Sequence, residues 1–153
     1  MGNRSRCTLA SCKFQLTTPG LNPKTGKYED FGISANILIN YLRDNSIVAD
    51  KCDLNTILFL MTPAETMAKM QDVVNKLIKF EKLVDDDSPI EIVLPFIYEK
   101  YKERYKNYTI RKLCLEMHNF YKERNVSLLQ KRLFLKEFFP KAGLRRRLPF
   151  SER

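Results

Sequence analysis

The stretch ILFLMTPAETMAKM, Ile57 to Met70, holds the change that decides the fold. Its first five residues are an unbroken apolar run, the pattern of a buried strand. Thr62-Pro63-Ala64-Glu65 then places a hydroxyl at N-cap, proline at N1 and a carboxylate at N3. That is a capping box with proline where a missing N–H costs nothing. Behind it Met67, Met70, Val74, Leu77, Ile78 and Phe80 recur at helical spacing to about Val84. Mixed strand and helix signals therefore end near Met61, and purely helical ones begin at Thr62.

Upstream, CKFQLTT (Cys12–Thr18) alternates as a strand does, and Pro19-Gly20 stops it. Residues 22–26 continue as a loop. ISANILINYLRDN (Ile33–Asn45) carries Ile33, Ile37, Leu38, Tyr41 and Leu42 at helical spacing, with Ser34 placed to cap it. Ile47-Val48 suits a second short strand, with Asp50 to Asn55 as the turn before Ile57–Met61. This is one edge of an α/β unit, with too few strands to close a two-faced sheet.

Downstream, Asp85-Asp86-Asp87 opposes the helix dipole and ends the helix. Ser88-Pro89-Ile90-Glu91 forms a second capping box, and Pro95 must kink or restart what it opens. Tyr98, Tyr101, Tyr105 and Tyr108 recur among lysines and arginines. Thr109 can cap a helix with the stripe Ile110, Leu113, Cys114, Met117, Phe120 and Tyr121. A last helix runs from about Ser127 to Phe138. The fold class is α+β: a small α/β remnant followed by a mainly helical region.

The chain has 153 residues and a net charge of +9. That excess alone points to an acidic partner. It is uneven, however. Residues 31–89 are net acidic, and the cations gather near the N-terminus and beyond Ile90, as a solvated face would have them. No apolar run is long enough for a membrane span, and no signal peptide is visible. The four cysteines at 7, 12, 52 and 114 lack zinc spacing and read as reduced thiols of a cytoplasmic protein.

Chemistry-bearing residues are few. His118, the only histidine, stands four residues beyond Cys114. As metal ligands the two would need partners that no spacing supplies. As a nucleophile pair they would need a third orienting group. A packed, hydrogen-bonded histidine is the preferred reading. The tyrosine series could stack single-stranded bases, but rings covering a core edge suit a helix better. Asp85–Asp87 lacks the ligand alternation of a calcium loop. No Gly-rich phosphate loop is present. The residues thus nominate no catalytic, cofactor-binding or metal site.

One family pattern does emerge. Gln15 to Glu65, with DKCDLN at Asp50–Asn55 and FLMTPAE at Phe59–Glu65, resembles the bacterial inducible ornithine branch of the ornithine/lysine/arginine decarboxylases. FEKLVDDDSPIEIVLPFIYEKYKERY (Phe80–Tyr105) and Thr109 to Lys141 continue the likeness. These are pyridoxal-phosphate enzymes of the aspartate-aminotransferase fold. The resemblance implies that residues 1–61 end an aminotransferase-like small subdomain and that 62–141 begin the C-terminal domain. Residues 142–153, AGLRRRLPFSER, follow no family pattern, read as a shifted frame and are expected to be unstructured.

The family's Schiff-base lysine follows a histidine in a Ser-x-His-Lys motif; here Asn119 follows His118. Ser34 stands where a Gly-Ile-Pro-Ala motif has proline, and Ser46 where glycine is usual. The resemblance therefore implies a truncated piece. Its parent would turn L-ornithine into putrescine and CO2 with pyridoxal phosphate, while this chain would be inactive and cofactor-free alone. Its partners would be the remaining decarboxylase domains or subunits of an oligomeric, cytoplasmic enzyme. The rival is a small basic helical module binding nucleic acid or an acidic protein. A sheet remnant without its partners is also expected to be the less stable half, with Ile37, Ile57 and Phe59 incompletely buried.

Overall fold

The computed structural model describes residues 12–22, 24–61 and 66–130. Within them β1 (Cys12–Thr17), β2 (Lys51–Cys52) and β3 (Thr56–Met61) form one antiparallel sheet in the order β1–β3–β2. Phe14 lies opposite Phe59 and Leu16 opposite Ile57. The period of two puts these four on one face, with Lys13, Gln15, Leu58 and Leu60 on the other. The Thr18 N–H and hydroxyl both donate to the Asn55 carbonyl, at 2.9 and 3.2 Å. They carry the pairing past the end of β1.

α1 (Ala35–Asp44) packs on β2 and β3. Ser34 caps it, its hydroxyl accepting from the Asn36 N–H at 3.3 Å. Its far end closes as a Schellman turn. Ser46 N–H donates to Arg43 O at 3.0 Å, Ile47 N–H donates to Leu42 O at 2.8 Å, and Ser46 sits at φ 64°. This closure overturns the strand expected at Ile47-Val48. The Ile47 N–H is committed to the helix end, and Val48 is 82% exposed. The strand forms instead at Lys51–Cys52, inside the segment whose sequence reads as a turn.

α2 (Met67–Asp85) is capped by Thr66, whose hydroxyl accepts from the Lys69 N–H at 3.4 Å. The capping box at Thr62 lies outside the described residues. The aspartates do end α2. Asp87 takes φ 50°, and Ser88 N–H donates to Leu83 O at 3.0 Å. α3 (Ile90–Val93), α4 (Pro95–Lys100), α5 (Lys102–Tyr105) and α6 (Ile110–Glu123) follow. Pro95 restarts the helix, with Leu94 at φ −130° as the break.

The expected Ser88–Glu91 box does not form: Pro89 is the N-cap of α3 and no side chain caps it. Ser88 is engaged elsewhere. Its carbonyl accepts from Ile110 N–H at 2.9 Å, and Ile90 N–H donates to Tyr108 O at 3.0 Å. A single antiparallel bridge, Pro89 to Thr109, thus joins the starts of α3 and α6. Thr109 caps α6 as its sequence predicts. Residues 126–130 are helical again; the rest of the expected last helix and the 142–153 tail lie outside the described residues.

One apolar cluster runs from α1 and β3 through Phe80 and Val84 to Ile90, Leu94, Ile110 and Cys114. Ile37, Ile57 and Phe59 belong to it, at 3%, 0% and 9% exposure, so the incomplete burial expected of them is wrong. The helices beyond Met61 cover the side chains that missing strands were expected to leave bare. The Tyr41 ring meets Phe80 of α2 at 4.9 Å between centroids.

Candidate functional site

The chain's one histidine lies where α6 meets the loop between β1 and α1. His118 faces inward and is 2% exposed. Two glycines make room for its ring. A Cβ on Gly32 would stand 2.3 Å from Nδ1, and one on Gly20 would stand 3.0 Å from Cε1. Gly20 also takes φ 110°, which L side chains rarely adopt. The Tyr28 ring meets the imidazole edge-on at 5.7 Å. Nε2 lies 2.7 Å from the Glu29 carbonyl oxygen. A carbonyl only accepts, so Nε2 carries the proton.

Neighbouring groups extend this seam. Lys122 reaches the same carbonyl at 3.3 Å and Asp30 Oδ1 at 3.1 Å. The Tyr28 hydroxyl accepts from Ser127 N–H at 3.1 Å, and burial raises its pKa. Ser34 Oγ lies 3.4 Å from the Tyr121 hydroxyl. Together these contacts fasten Gly20, residues 28–30, Gly32 and Ser34 to α6 and the turn after it.

The arrangement positions backbone. Cys114, one turn before His118, is fully buried, and burial pushes its thiol up to about 12. A nucleophilic cysteine needs the opposite shift. Cys52 is shifted up as well, chiefly by burial. Among the described residues, no three of His, Cys, Asp and Glu gather where a metal could sit. Asp87 Oδ1 accepts from the Arg111 N–H at 3.3 Å, so that carboxylate serves the start of α6.

The tyrosine series does not form an open platform. Tyr101, Tyr105 and Tyr108 meet edge to face at 6.4 and 5.8 Å. Lys100, Arg104 and Lys112 lie over the same three rings, at 5.4, 5.8 and 4.3 Å. The rings already carry the protein's own cations.

A model of the family described as Orn/Lys/Arg decarboxylase, major domain, matches residues 3–69. The inducible ornithine decarboxylase of Lactobacillus sp. (strain 30a) is 56% identical over 141 residues, 92% of this chain and 19% of that protein. That of Escherichia coli (strain K12) is 54% identical over 87% of this chain and 18% of its own length. This chain belongs to the Orn/Lys/Arg decarboxylase family. Among solved structures, the Francisella novicida lysine decarboxylase superposes with a TM-score of 0.76 at 26% identity, covering 80% of this chain and 17% of that one. The chain thus spans about a fifth of the length of the curated relatives it matches.

Among the described residues, the two larger grooves do not fit the pyridoxal phosphate that this family implies. Such a site needs a desolvated lysine for the Schiff base, a carboxylate at the pyridine nitrogen and donors on the phosphate. A groove of about 360 Å³ between the end of β1 and α2 is lined by side chains such as Phe31, Leu77 and Val84, and no lysine lines it. A second, of about 320 Å³, runs between the Ser46 turn and α2. Its Lys69 is exposed, and its Asp72 is paired with Lys76 at 2.8 Å.

The residues that matter most at His118, Gly20, Gly32 and Tyr28, were not legible as its partners from spacing. The usable signal was scarcity. The chain has only five glycines, and two of them meet one ring.

Proposed function

We propose that this chain is a folded, non-catalytic segment of an ornithine decarboxylase. The whole enzyme would convert L-ornithine to putrescine and CO2 with pyridoxal phosphate. The supporting observation is sequence identity above half with ornithine decarboxylases along most of the chain, against about a quarter with a solved lysine decarboxylase. The poor fit of both grooves to the cofactor supports inactivity of the chain alone. Residues 1–61 are assigned to the end of the aminotransferase-like subdomain, 62–141 to the start of the C-terminal domain and 142–153 to a non-family tail. A major-domain match that stops at residue 69 supports a boundary in that region. The partners are the remaining decarboxylase domains or subunits, in the cytoplasm. No helix among the described residues is long and apolar enough to cross a membrane.

Mixing the chain with L-ornithine and pyridoxal phosphate is expected to release CO2 only at the cofactor's own rate. Protein-dependent release, or the absorbance of a lysine aldimine, would overturn the reading. Oligonucleotide binding with a steep salt dependence would favour the basic-module reading instead.

A further inference from the structure

We propose that the open edge of β1, with the groove beside it, is the seat of one more β-strand, supplied by the part of the parent decarboxylase's major domain that lies outside this chain. This rests on the proposed function and names the contact through which the segment joins the rest of the enzyme.

The edge follows from the ladder. Along an antiparallel strand, residues alternate between bonding across to one neighbour and turning their N–H and C=O groups away from it. Thr18 N–H donates to Asn55 O at 2.9 Å, so Leu16 with Ile57 and Phe14 with Phe59 are the next bonded pairs. On the other side of β3, Asp53 N–H donates to Thr56 O at 2.8 Å, which turns Thr56 and Leu58 toward β2 and agrees with that assignment. The backbone groups of Lys13, Gln15 and Thr17 therefore face outward, and among the described residues no strand pairs with them. Proteins blunt such edges with proline, bulges or charge. β1 instead runs six residues in unbroken register with one lysine, whereas the opposite edge, β2, is two residues long.

The groove supplies the other half of the site. A neighbouring strand lies about 4.8 Å away and sends alternate side chains to the core face. On that face, beside β1, is the groove of about 360 Å³ between Leu16 and the α2 residues Val74 and Ile78. Val74, Ile78 and the nearby Phe14 are 45%, 46% and 47% exposed. Alternate large apolar side chains on an added strand fill this space and cover all three. Glu81 and Asp85 stand on the rim with no ion-pair partner among the described residues, so the strand carries a lysine or arginine at that end. Backbone pairing together with pockets for alternate side chains is how a sheet edge selects a strand. Two facts point to the source. The major-domain match, residues 3–69, takes in the whole sheet, while the helices from α3 onward lie outside it. The chain spans 19% and 18% of two curated relatives, which leaves about four-fifths of each to supply the strand.

The test grafts this chain into the Lactobacillus sp. (strain 30a) ornithine decarboxylase in place of the 19% that it matches. Amide hydrogen exchange is then read in the isolated chain and in the graft. Lys13, Gln15 and Thr17 should exchange freely in the chain and about a hundredfold more slowly in the graft, while Phe14 and Leu16 are slow in both. Gln15→Pro removes an outward donor, which an open edge tolerates and a paired strand does not. Ile78→Glu puts a charge into the groove. Both variants should keep the melting temperature of the isolated chain and shorten the unfolding half-life of the graft about tenfold. Fast exchange at the three edge amides in a graft that decarboxylates L-ornithine would overturn the inference and leave the proposed function standing. Slow exchange there in a graft without decarboxylase activity would keep the added strand and break the proposed function. Protection that appears in the isolated chain as its concentration rises would also overturn the inference, giving the edge to a second copy.

Discussion

Residues 12–61 and residues 66–130 both contribute to one buried core, but by different means. The first set uses partners far apart in sequence: β1 on β3, Tyr41 on Phe80, Ser34 on Tyr121, and Gly20 and Gly32 on His118. The second uses helices that stop and restart locally, at the left-handed Asp87 and Asn107, at the uncapped Leu94 and Tyr101, and behind the caps Thr66 and Thr109. The sheet portion is therefore complete only with the helices in place. That is why a sequence with so few strands can still bury Ile57 fully.

The sharpest way to break this comparison is to damage one portion and watch the other. Phe80→Ala empties a position 3% exposed and removes the Tyr41 contact. It should cost about 3–4 kcal/mol in a denaturant melt. Hydrogen exchange should rise in α1 as well as in α2. A rise confined to α2 would mean the two portions hold together separately.

Gly32→Ala comes next. Its Cβ would meet His118 Nδ1 at 2.3 Å and Gly20 Cα at 2.7 Å, and overpacking of this kind costs about 3 kcal/mol. In a His118→Ala background the penalty should shrink, because the two sites share one space. Additive losses would mean that the ring is not what the glycine accommodates.

A smaller effect follows from pH. The Cys114 thiol is raised from 9.0 to about 12 by burial. Below pH 9 it is protonated in folded and unfolded chains alike. Between about pH 9 and 12 the unfolded chain gives up the proton and the folded chain keeps it. Stability should fall there by about 1 kcal/mol per pH unit, with a shallower slope in Cys114→Ala. The smallest effect is a gain. Ser46 holds φ 64°, so Ser46→Gly should stabilise by about 0.5–1 kcal/mol, read as a rise in melting temperature.

Local chemistry was the legible part. Ser34 and Thr109 announce their helices because a cap needs only residues two or three positions apart. Pro95 announces its break because a missing N–H acts where it stands. Ile47-Val48 misled because an apolar pair has no period of its own. The left-handed turn that claims it rests on Ser46, where only the family comparison hinted at glycine. Ser88-Pro89-Ile90-Glu91 misled for the opposite reason: its pattern is sound, but Ser88 is engaged by Leu83 and Ile110. At the candidate site the burial of His118 was legible from its place on an apolar stripe. The loop it locks lies 89 residues away, and no spacing connects the two.

The bridge from Pro89 to Thr109 has one more consequence. By joining both ends of the intervening segment, it makes residues 90–108 a cassette whose contents are uncoupled from the spacing of α2 and α6. Insertions or deletions there, near Asn107 for example, change the length of a loop already closed. Closure entropy grows by only about 0.6 kcal/mol for each doubling of length. Natural length variation in this part of the chain should therefore concentrate between Pro95 and Asn107, while residues 88–90 and 108–110 hold their register.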